Sequence, residues 1–156
     1  MTEAALIIRA AGPDDCRFYW TVNNDPTTRA VSMSTAPIPW ASHATWYPAR
    51  LSDPFTHLYV AEHGDVPVGV VRFDVEGEDA TISVALAPEH QGKGLGRRII
   101  AQATERTLLE TSASRAVALI RPDNHGSVRA FVAAGYREDG SVVLGDHTML
   151  RFIATT

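Results

Sequence analysis

Hydrophobic residues along this chain recur with two periods, and each period predicts a different kind of secondary structure. Apolar and polar residues alternate in one set of segments, which is typical of half-buried β-strands. These segments are residues 6–10, 57–62, 66–75, 79–87, 116–120 and 147–153, and a further strand is expected near Tyr136. The sequence His63-Gly64-Asp65 between the second and third segments predicts a hairpin turn.

A second set of segments has apolar residues three or four positions apart, which predicts amphipathic helices. These segments are residues 42–51, 94–111 and 124–134, together with a stretch that begins near Asp14 as its cap. In the longest of them, Leu95, Ile99, Ile100 and Ala103 share one face. The order of strands and helices predicts an α/β (α+β) fold with a mixed sheet.

Length and composition predict one domain over residues 1–156. The 156 residues are 45% hydrophobic and contain no internal repeat or Pro/Ser/Gly-rich linker, so they can bury a single core. No apolar run is long enough to span a membrane, and an acidic residue stands where a signal peptide has its basic flank. These features predict a cytoplasmic protein with no membrane partner.

Charge and metal-ligand spacing exclude two further classes of protein. The net charge of −4 argues against a nucleic-acid partner, because neutralising phosphates requires a basic surface. The single cysteine, Cys16, has hydrophobic neighbours and is expected to pack rather than to react. The six histidines form no motif such as His-Glu-x-x-His, so no metal is expected.

The most informative segment joins the strand at residues 79–87 to the longest helix. It contains three glycines and three cations, namely Gly92, Gly94, Gly96, Lys93, Arg97 and Arg98. Backbone N–H groups at a helix start have no intrahelical partner, and residues without Cβ atoms let an anion approach them closely. Cations at a helix N-terminus are unfavourable beside the positive end of the helix dipole, and a bound anion would offset this repulsion. The segment therefore predicts a binding loop for a pyrophosphate.

Two common phosphate loops do not fit this spacing. A Walker loop requires Gly-x-x-x-x-Gly-Lys followed by Ser or Thr, and Gly94-Leu95-Gly96-Arg97 has neither that spacing nor the magnesium-binding hydroxyl. A dinucleotide loop requires Gly-x-Gly-x-x-Gly early in the domain, whereas Gly92-x-Gly94-x-Gly96 has a different last gap and comes late. The spacing Gln91-x-x-Gly94-x-Gly96 after a strand resembles the acyl-CoA pyrophosphate loop of the GNAT superfamily of N-acyltransferases.

A second motif strengthens this resemblance. After the strand at residues 116–120 the chain reads Asn124-x-x-Ser127-x-x-Ala130-Phe131-x-x-x-Gly135-Tyr136, which is similar to the superfamily pattern Asn-x-x-Ala/Ser-x-x-Leu-Tyr-x-x-x-Gly-Phe. Asn124 and Gly135 would also serve as helix caps without any cofactor, and both roles are compatible. The resemblance implies a GNAT-like, mostly antiparallel central sheet with a splayed pair of strands, flanked by about four helices.

The resemblance also implies acetyl-CoA as cosubstrate of an acyl-CoA-dependent N-acyltransferase. The backbone of Val84, Ala85 and Leu86 would pair with the pantetheine amides like an added strand. A backbone N–H of Val84 or Leu86 would stabilise the thioester oxygen. The helix that carries Asn124, Ser127 and Phe131 would flank the pantetheine arm. The phosphates would contact the loop residues Gln91, Gly92, Lys93, Gly94, Leu95, Gly96 and Arg97.

The chain departs from the family pattern at Phe131. Many members have a tyrosine there that protonates the departing thiolate, and a phenylalanine cannot do so. Either water protonates the thiolate, since a free thiol has a pKa of about 8.5, or Tyr136, Ser127 or Ser141 does. Cys16 is far from both motifs, which favours direct transfer over a covalent route.

Three carboxylates are candidates for the base that removes the proton of the amine. Asp79 is the first candidate, and Asp74 and Glu78 follow, because we expect these residues at the acceptor end of the splayed strands. Thr81 and Ser83 share a strand face and could hold a bridging water. The same carboxylates could instead form a solvated turn.

The segment between the first two helices carries polar and aromatic residues in an order suited to a pocket. Asn24, Arg29, His43 and Trp46 are the candidate acceptor-binding residues. With the later strand residues 71–74, they resemble GNAT members of bacterial nonulosonate pathways, which acetylate nucleotide-linked amino sugars. Such an acceptor would offer a diphosphate, hydroxyl groups and an apolar face to these side chains. Asn24 could instead only end the first helix, and Trp46 could only cover the core.

Three functions are therefore compatible with the sequence. The first is direct N-acetylation of a small-molecule amine, such as a nucleotide-linked amino sugar. The second is protein N-terminal acetylation of the ribosomal-protein type, which needs an open groove where residues 25–40 lie. The third is a noncatalytic acyl-CoA-binding sensor, suggested by Phe131. The acceptor, the acyl-chain preference and the oligomeric state stay open, a homodimer included.

Overall fold

The computed structural model describes residues 4–32 and 34–155, so residues 1–3, used above to argue against a signal peptide, lie outside it. Its strands are β1 Leu6–Ala10, β2 Thr56–His63, β3 Val66–Glu76, β4 Asp79–Leu86, β5 Arg115–Ile120, β6 Arg137–Leu144 and β7 His147–Thr155. They form one sheet in the order β1-β2-β3-β4-β5-β7-β6. Each neighbouring pair is antiparallel except β4 and β5. The predicted mixed, mostly antiparallel sheet is confirmed.

Five α-helices occur within the described residues, one more than predicted. They are α1 Cys16–Asn23, α2 Pro26–Ala30, α3 Trp40–Leu51, α4 Leu95–Glu110 and α5 His125–Ala133. The additional helix is the short α2, which begins where the Asp25 side chain accepts a hydrogen bond from the Thr27 N–H at 3.0 Å. None of the helices in this part of the chain is long and apolar enough to cross a membrane.

The entry to α1 differs from the prediction that Asp14 caps it. A short 3₁₀ turn, Pro13–Asp15, comes first, and α1 begins at Cys16. Asp15 is the carboxylate that matters, because it accepts hydrogen bonds from the Gly12 N–H and from Arg9, each at 2.8 Å. The Arg9 guanidinium lowers the pKa of Asp15. This pair joins β1 to the start of α1.

Helices cover both faces of the sheet. The strand side chains alternate between the two faces, so Tyr59 and Ala61 of β2 belong to one buried cluster while Leu58 and Val60 belong to the other. Helix α4 supplies its apolar residues to the first cluster. Helices α1 and α3 supply Tyr19, Val22 and Tyr47 to the second.

The sheet opens between β4 and β5. Their parallel pairing is confined to the first residues of each strand and ends at Thr81 and Val117. Beyond that point β4 remains paired with β3, and β5 remains paired with β7. Both strands are therefore held at their outer edges while their inner edges diverge. This confirms the predicted splayed pair and places a gap in the middle of the sheet.

Candidate active site

One edge of β4 presents backbone N–H groups to this gap. Successive residues of a strand direct their N–H and C=O groups to opposite edges. The Ala87 N–H donates to the Val68 carbonyl of β3 at 2.9 Å, so Val84 and Leu86 face the other way, towards β5. No strand of the described chain pairs with that edge of β4 beyond Thr81. The Val84 and Leu86 N–H groups are therefore available to a ligand.

A groove of about 700 Å³ leads from this edge to the N-terminus of α4, and we call it the cofactor groove. Ten of the residues predicted to bind the cofactor line it, namely Val84, Ala85, Leu86, Gln91, Gly92, Gly94, Gly96, Arg97, Asn124 and Ser127. The prediction placed Leu95 and Lys93 there too. Leu95 instead packs in the core with 4% exposure, and Lys93 is exposed and outside the lining.

The glycines keep the groove open beside the first turn of α4. Gly92 has φ +74° and Gly94, the N-cap of α4, has φ +75°, a conformation that costs other residues about 1–2 kcal/mol. A Cβ atom at Gly92 would meet nothing within 4 Å, and one at Gly94 would come no closer than 3.9 Å to Arg97. The open space and the unpaired N–H groups fit a diphosphate.

Arginine side chains supply positive charge to the groove from both flanking helices. Arg97 of α4 was predicted, whereas Arg129 of α5 was missed. A helical face could have revealed it, because the residues of α5 that line the groove recur at i, i+3, i+4 and i+7, namely Gly126, Arg129, Ala130 and Ala133. Two guanidinium groups beside a helix N-terminus reinforce the fit to phosphate groups.

A second cavity of about 600 Å³, the acceptor cavity, adjoins the cofactor groove. The two share six lining residues, Thr28, Val31, Val84, Ala85, Asn124 and Ser127. Three of the candidate acceptor-binding residues, Arg29, His43 and Trp46, line the acceptor cavity, and Phe131 lines it rather than the groove. Asn24 does not line it, because its Oδ1 accepts a hydrogen bond from the Ile38 N–H at 2.7 Å. Its neighbour Asn23 lines the cavity instead.

Two arginines hold one wall of the acceptor cavity together. Arg29 donates from Nε at 3.1 Å to one backbone carbonyl and from Nη2 to another. Arg121 donates from Nη1 to two further carbonyls at 3.3 Å. The four acceptors belong to Ala30, Ser32, Ser34 and Ala36. Arg121 was missed from the sequence, since it lies about ninety residues from this wall and no local pattern connects them.

His43 is buried against the wall formed by α1 and α3. Its Nε2 lies 2.7 Å from the Cys16 carbonyl oxygen, which can only accept, so Nε2 carries a hydrogen and donates it. The ring is 3% exposed and packs between Trp40 and Trp46, at centroid distances of 5.8 and 5.7 Å. Burial lowers the pKa of His43. The imidazole is therefore neutral at pH 7.

Acidification is expected to destabilise the protein through His43. The His43 imidazole takes up a proton near pH 6.5 in the unfolded chain but only at lower pH in the folded protein. The contribution of His43 to the free energy of unfolding is therefore fully present above pH 6.5 and falls as the pH drops below it. The slope is at most about 1.4 kcal/mol per pH unit for one proton. Urea denaturation at pH 7.5, 6.5 and 5.5 should show a shallower pH dependence for His43→Phe than for the wild type. Equal slopes would contradict this assignment.

The structure does not bring the three predicted carboxylates to either cavity. Asp79 accepts hydrogen bonds from Arg115 at 2.8 and 2.7 Å, and Asp74 accepts one from Arg72 Nε at 3.0 Å. Glu78 lies in the turn before β4. The strand direction explains the difference, because β4 begins at the closed end of the sheet and its later residues reach the gap. Within residues 4–32 and 34–155, no group of three potential metal ligands occurs either.

The three hydroxyl groups considered as proton donors for the thiolate lie in different places relative to the two cavities. Phe131 packs edge-on against Tyr136 with ring centroids 4.9 Å apart. The Tyr136 hydroxyl is buried in a 2.7 Å hydrogen bond with Thr104, and burial raises its pKa. Ser141 lies on β6, outside both cavities, whereas Ser127 lines both. Ser127 is thus the hydroxyl among the three that lies where a thiolate could depart.

Solved structures with the same fold include acetyltransferases in complex with coenzyme A. Aminoglycoside acetyltransferase AAC(6')-Ib in complex with coenzyme A superposes with a TM-score of 0.84 at 17% identity, covering 97% of this chain and 95% of that one. Spermidine N-acetyltransferase from Vibrio cholerae, in complex with CoA and spermine, also gives 0.84, at 21% identity, with 96% and 95% covered. A comparison with curated proteins gives no match.

The sequence itself identifies the family. Residues 22–136 match the model of the acetyltransferase (GNAT) family, which is more than half of the chain. The protein therefore belongs to the GNAT family and is an acetyl-CoA-dependent N-acetyltransferase. The fold and class inferred from the two sequence motifs are confirmed.

Proposed function

We propose that the protein transfers the acetyl group of acetyl-CoA directly to a primary amine of a small molecule. The observation that carries this proposal is the continuity of the cofactor groove with the acceptor cavity across the gap between β4 and β5. An amine in the cavity can reach a thioester in the groove without a covalent enzyme intermediate. Cys16, the one cysteine of the chain, lines neither space.

Acetyl-CoA supplies the activated acyl group, and the chain supplies position and charge. The glycine loop, Arg97 and Arg129 hold the phosphates. The gap-facing N–H of Val84 or Leu86 donates to the thioester oxygen as negative charge develops there. The proton that the attacking nitrogen loses as the amide forms passes to the departing thiolate through a relay made by the Ser127 hydroxyl or by a water beside it.

His43, rather than Asp79, is the base that removes the proton of the acceptor amine in this proposal. The titratable side chains among the cavity lining of the described residues are three arginines and His43. Arginine stays protonated, so the imidazole is the lining group that can accept a proton from the ammonium form of the acceptor. Because Nε2 already donates to the Cys16 carbonyl, the accepting atom is Nδ1, directly or through a water.

The wall of the acceptor cavity favours a small molecule over a peptide. The Trp20 Nε1–H donates to the Ile38 carbonyl at 2.8 Å and Asn24 accepts from the Ile38 N–H, while Arg29 holds the carbonyls of Ser34 and Ala36. A peptide groove would require this segment to be displaced. Nucleotide-linked amino sugars are our proposed acceptors, since the cavity offers the Arg72 guanidinium and the Trp46 ring. The homodimer, the single domain over residues 1–156 and the cytoplasmic location stay predictions.

An acceptor screen that follows free thiol release tests this function. The panel contains nucleotide-linked and free amino sugars, polyamines, amino acids and ribosomal-protein peptides, each with acetyl-CoA. Efficient acetylation of a peptide without turnover of any amino sugar would favour the protein-acetyltransferase alternative. Binding of acetyl-CoA without thiol release for any amine would favour the sensor alternative.

Trp46→Ala is expected to raise the acceptor KM about tenfold, because it removes the aromatic face of the cavity. Affinity for CoA should not change, since Trp46 does not line the cofactor groove. Phe55→Ala is the matched control, because Phe55 is 65% exposed and lines neither space. An unchanged acceptor KM in Trp46→Ala would remove Trp46 from the binding site.

A further inference from the structure

The acceptor cavity has a charge pattern that narrows the class of acceptor. Within residues 4–32 and 34–155 its lining contains Arg29, Arg72 and Arg121 but no aspartate or glutamate. Guanidinium groups bind carboxylate and phosphate groups through charge-assisted hydrogen bonds. A polycation such as spermidine would meet like charges there, without a carboxylate in the lining to pair with its ammonium groups.

Two of these arginines are already engaged with the cavity wall. Arg29 and Arg121 donate to backbone carbonyls of residues 30–36, as described above. Arg121 also forms a two-pronged ion pair with Asp123, at 3.1 and 2.9 Å. Their donors are largely used in holding the wall, so they shape the cavity more than they bind its contents.

Arg72 is placed differently, because it projects from the sheet itself. Its Nε donates to Asp74 at 3.0 Å, and its Nη2 donates to the Ser83 hydroxyl at 3.2 Å. The guanidinium carbon lies 5.4 Å from the centre of the Trp46 ring. Asp74 is outside the cavity lining, so it orients the guanidinium from behind. Nη1 has no hydrogen bond to a described residue and remains available to a ligand.

The register of the sheet places Arg72 close to the reaction centre. Arg72 on β3 pairs with Ser83 on β4, and the next residue of β4 is Val84, whose N–H faces the gap. An anion on Arg72 would therefore lie beside the site where the thioester carbonyl is expected. The acceptor amine must reach that same site.

We propose, on the basis of the function proposed above, that Arg72 selects acceptors that carry a carboxylate or phosphate group near the amine. Trp46 and Asp74 hold its guanidinium in place, and Ser83 fixes its plane against β4. Arg72 is thus a specificity-determining residue that the sequence patterns did not single out as a binding group.

Paired acceptors test this selection. Glucosamine 6-phosphate is compared with glucosamine, and phenylalanine with phenethylamine, so that the two pairs separate phosphate from carboxylate recognition. Spermidine serves as the cationic acceptor. The wild type should prefer the anionic member of at least one pair about tenfold or more in kcat/KM. Arg72→Gln should lose that preference by lowering kcat/KM for the anionic member far more than for the neutral member, and Arg72→Lys should restore part of it.

Arg50→Gln is the matched control, because it removes the same charge from α3 at a residue that lines neither cavity. Preference for spermidine or for the neutral member, or equal losses for both members in Arg72→Gln, would overturn the proposal.

A binding experiment tests the anion site if no amine is acetylated, that is, if the proposed function itself fails. There, pyrophosphate and citrate are titrated into the CoA-saturated protein by calorimetry. Binding of either anion that Arg72→Gln loses and Arg50→Gln keeps supports the anion site, and unchanged binding, or no binding to the wild type, overturns it.

Discussion

Gly94→Val is expected to weaken CoA binding about a hundredfold or more while the protein remains folded. Gly94 has φ +75° and caps α4, so a β-branched residue there must rotate the first turn of the helix. Two charge-assisted hydrogen bonds to the diphosphate would be lost, at about 1.5 kcal/mol or more each, which gives about 3 kcal/mol in all. Calorimetry with CoA measures this loss, and circular dichroism checks the fold.

Gly140→Val is the control that distinguishes a direct effect of Gly94→Val on the binding loop from a general effect of backbone strain. Gly140 has φ +83° with nothing within 4 Å of an added Cβ, so its substitution strains the backbone in the same way as at Gly94. It lies on β6, outside the cofactor groove. CoA affinity should therefore stay at the wild-type value in Gly140→Val. Wild-type affinity in a folded Gly94→Val protein would remove the glycine loop from the cofactor site.

The regular elements could be predicted because their periodicity reflects burial on a shared core. β1 was placed at its observed bounds, and α4 was placed within one residue at each end, since Leu95, Ile99 and Ala103 all face the sheet. β6 was expected only near Tyr136. Its residues are mostly exposed and a bulge at Gly140 interrupts the alternation, so no period marks it. The short α2 was not predicted, although Asp25 followed by Pro26 is a local signal for the start of a helix.

The cofactor groove was more predictable than the acceptor cavity for a topological reason. Most of the groove comes from two continuous segments, the end of β4 with its loop and the start of α5, and each carries its own motif. The acceptor cavity is assembled from all five helices except α4, from β3, β4, β5 and β7, and from the segments that follow α2 and β5. Arg72 and Arg121 meet there only through the sheet order and register. Because the sequence does not show the register, Asp79 was expected where β4 and β5 separate. In the structure it lies at the opposite end of β4, where the two strands are paired.

Proline at residue 84 or 86 is expected to impair acetyl transfer strongly without unfolding the sheet. Proline removes the N–H, and because Val84 and Leu86 face the gap, neither change breaks a hydrogen bond to β3. Loss of the donor to the thioester oxygen should lower kcat about 10²- to 10³-fold. Proline at whichever of the two residues does not contact the thioester oxygen should mainly weaken CoA binding, since the N–H lost there would face the pantetheine arm. Single-turnover acetyl transfer and CoA affinity, measured on both variants, distinguish the two roles.

Ala85→Pro is the control for this argument, because Ala85 faces β3 and proline there removes a donor from the edge of β4 that pairs with β3. It should lower the thermal midpoint well below those of Val84→Pro and Leu86→Pro. If all three variants unfold alike, the assignment of edges along β4 is wrong. If Val84→Pro and Leu86→Pro are folded and keep the wild-type kcat and CoA affinity, the gap-facing edge of β4 takes no part in the reaction. Catalysis would then have to use donors elsewhere in the two cavities, with the hydroxyl of Ser127 as the next group to replace.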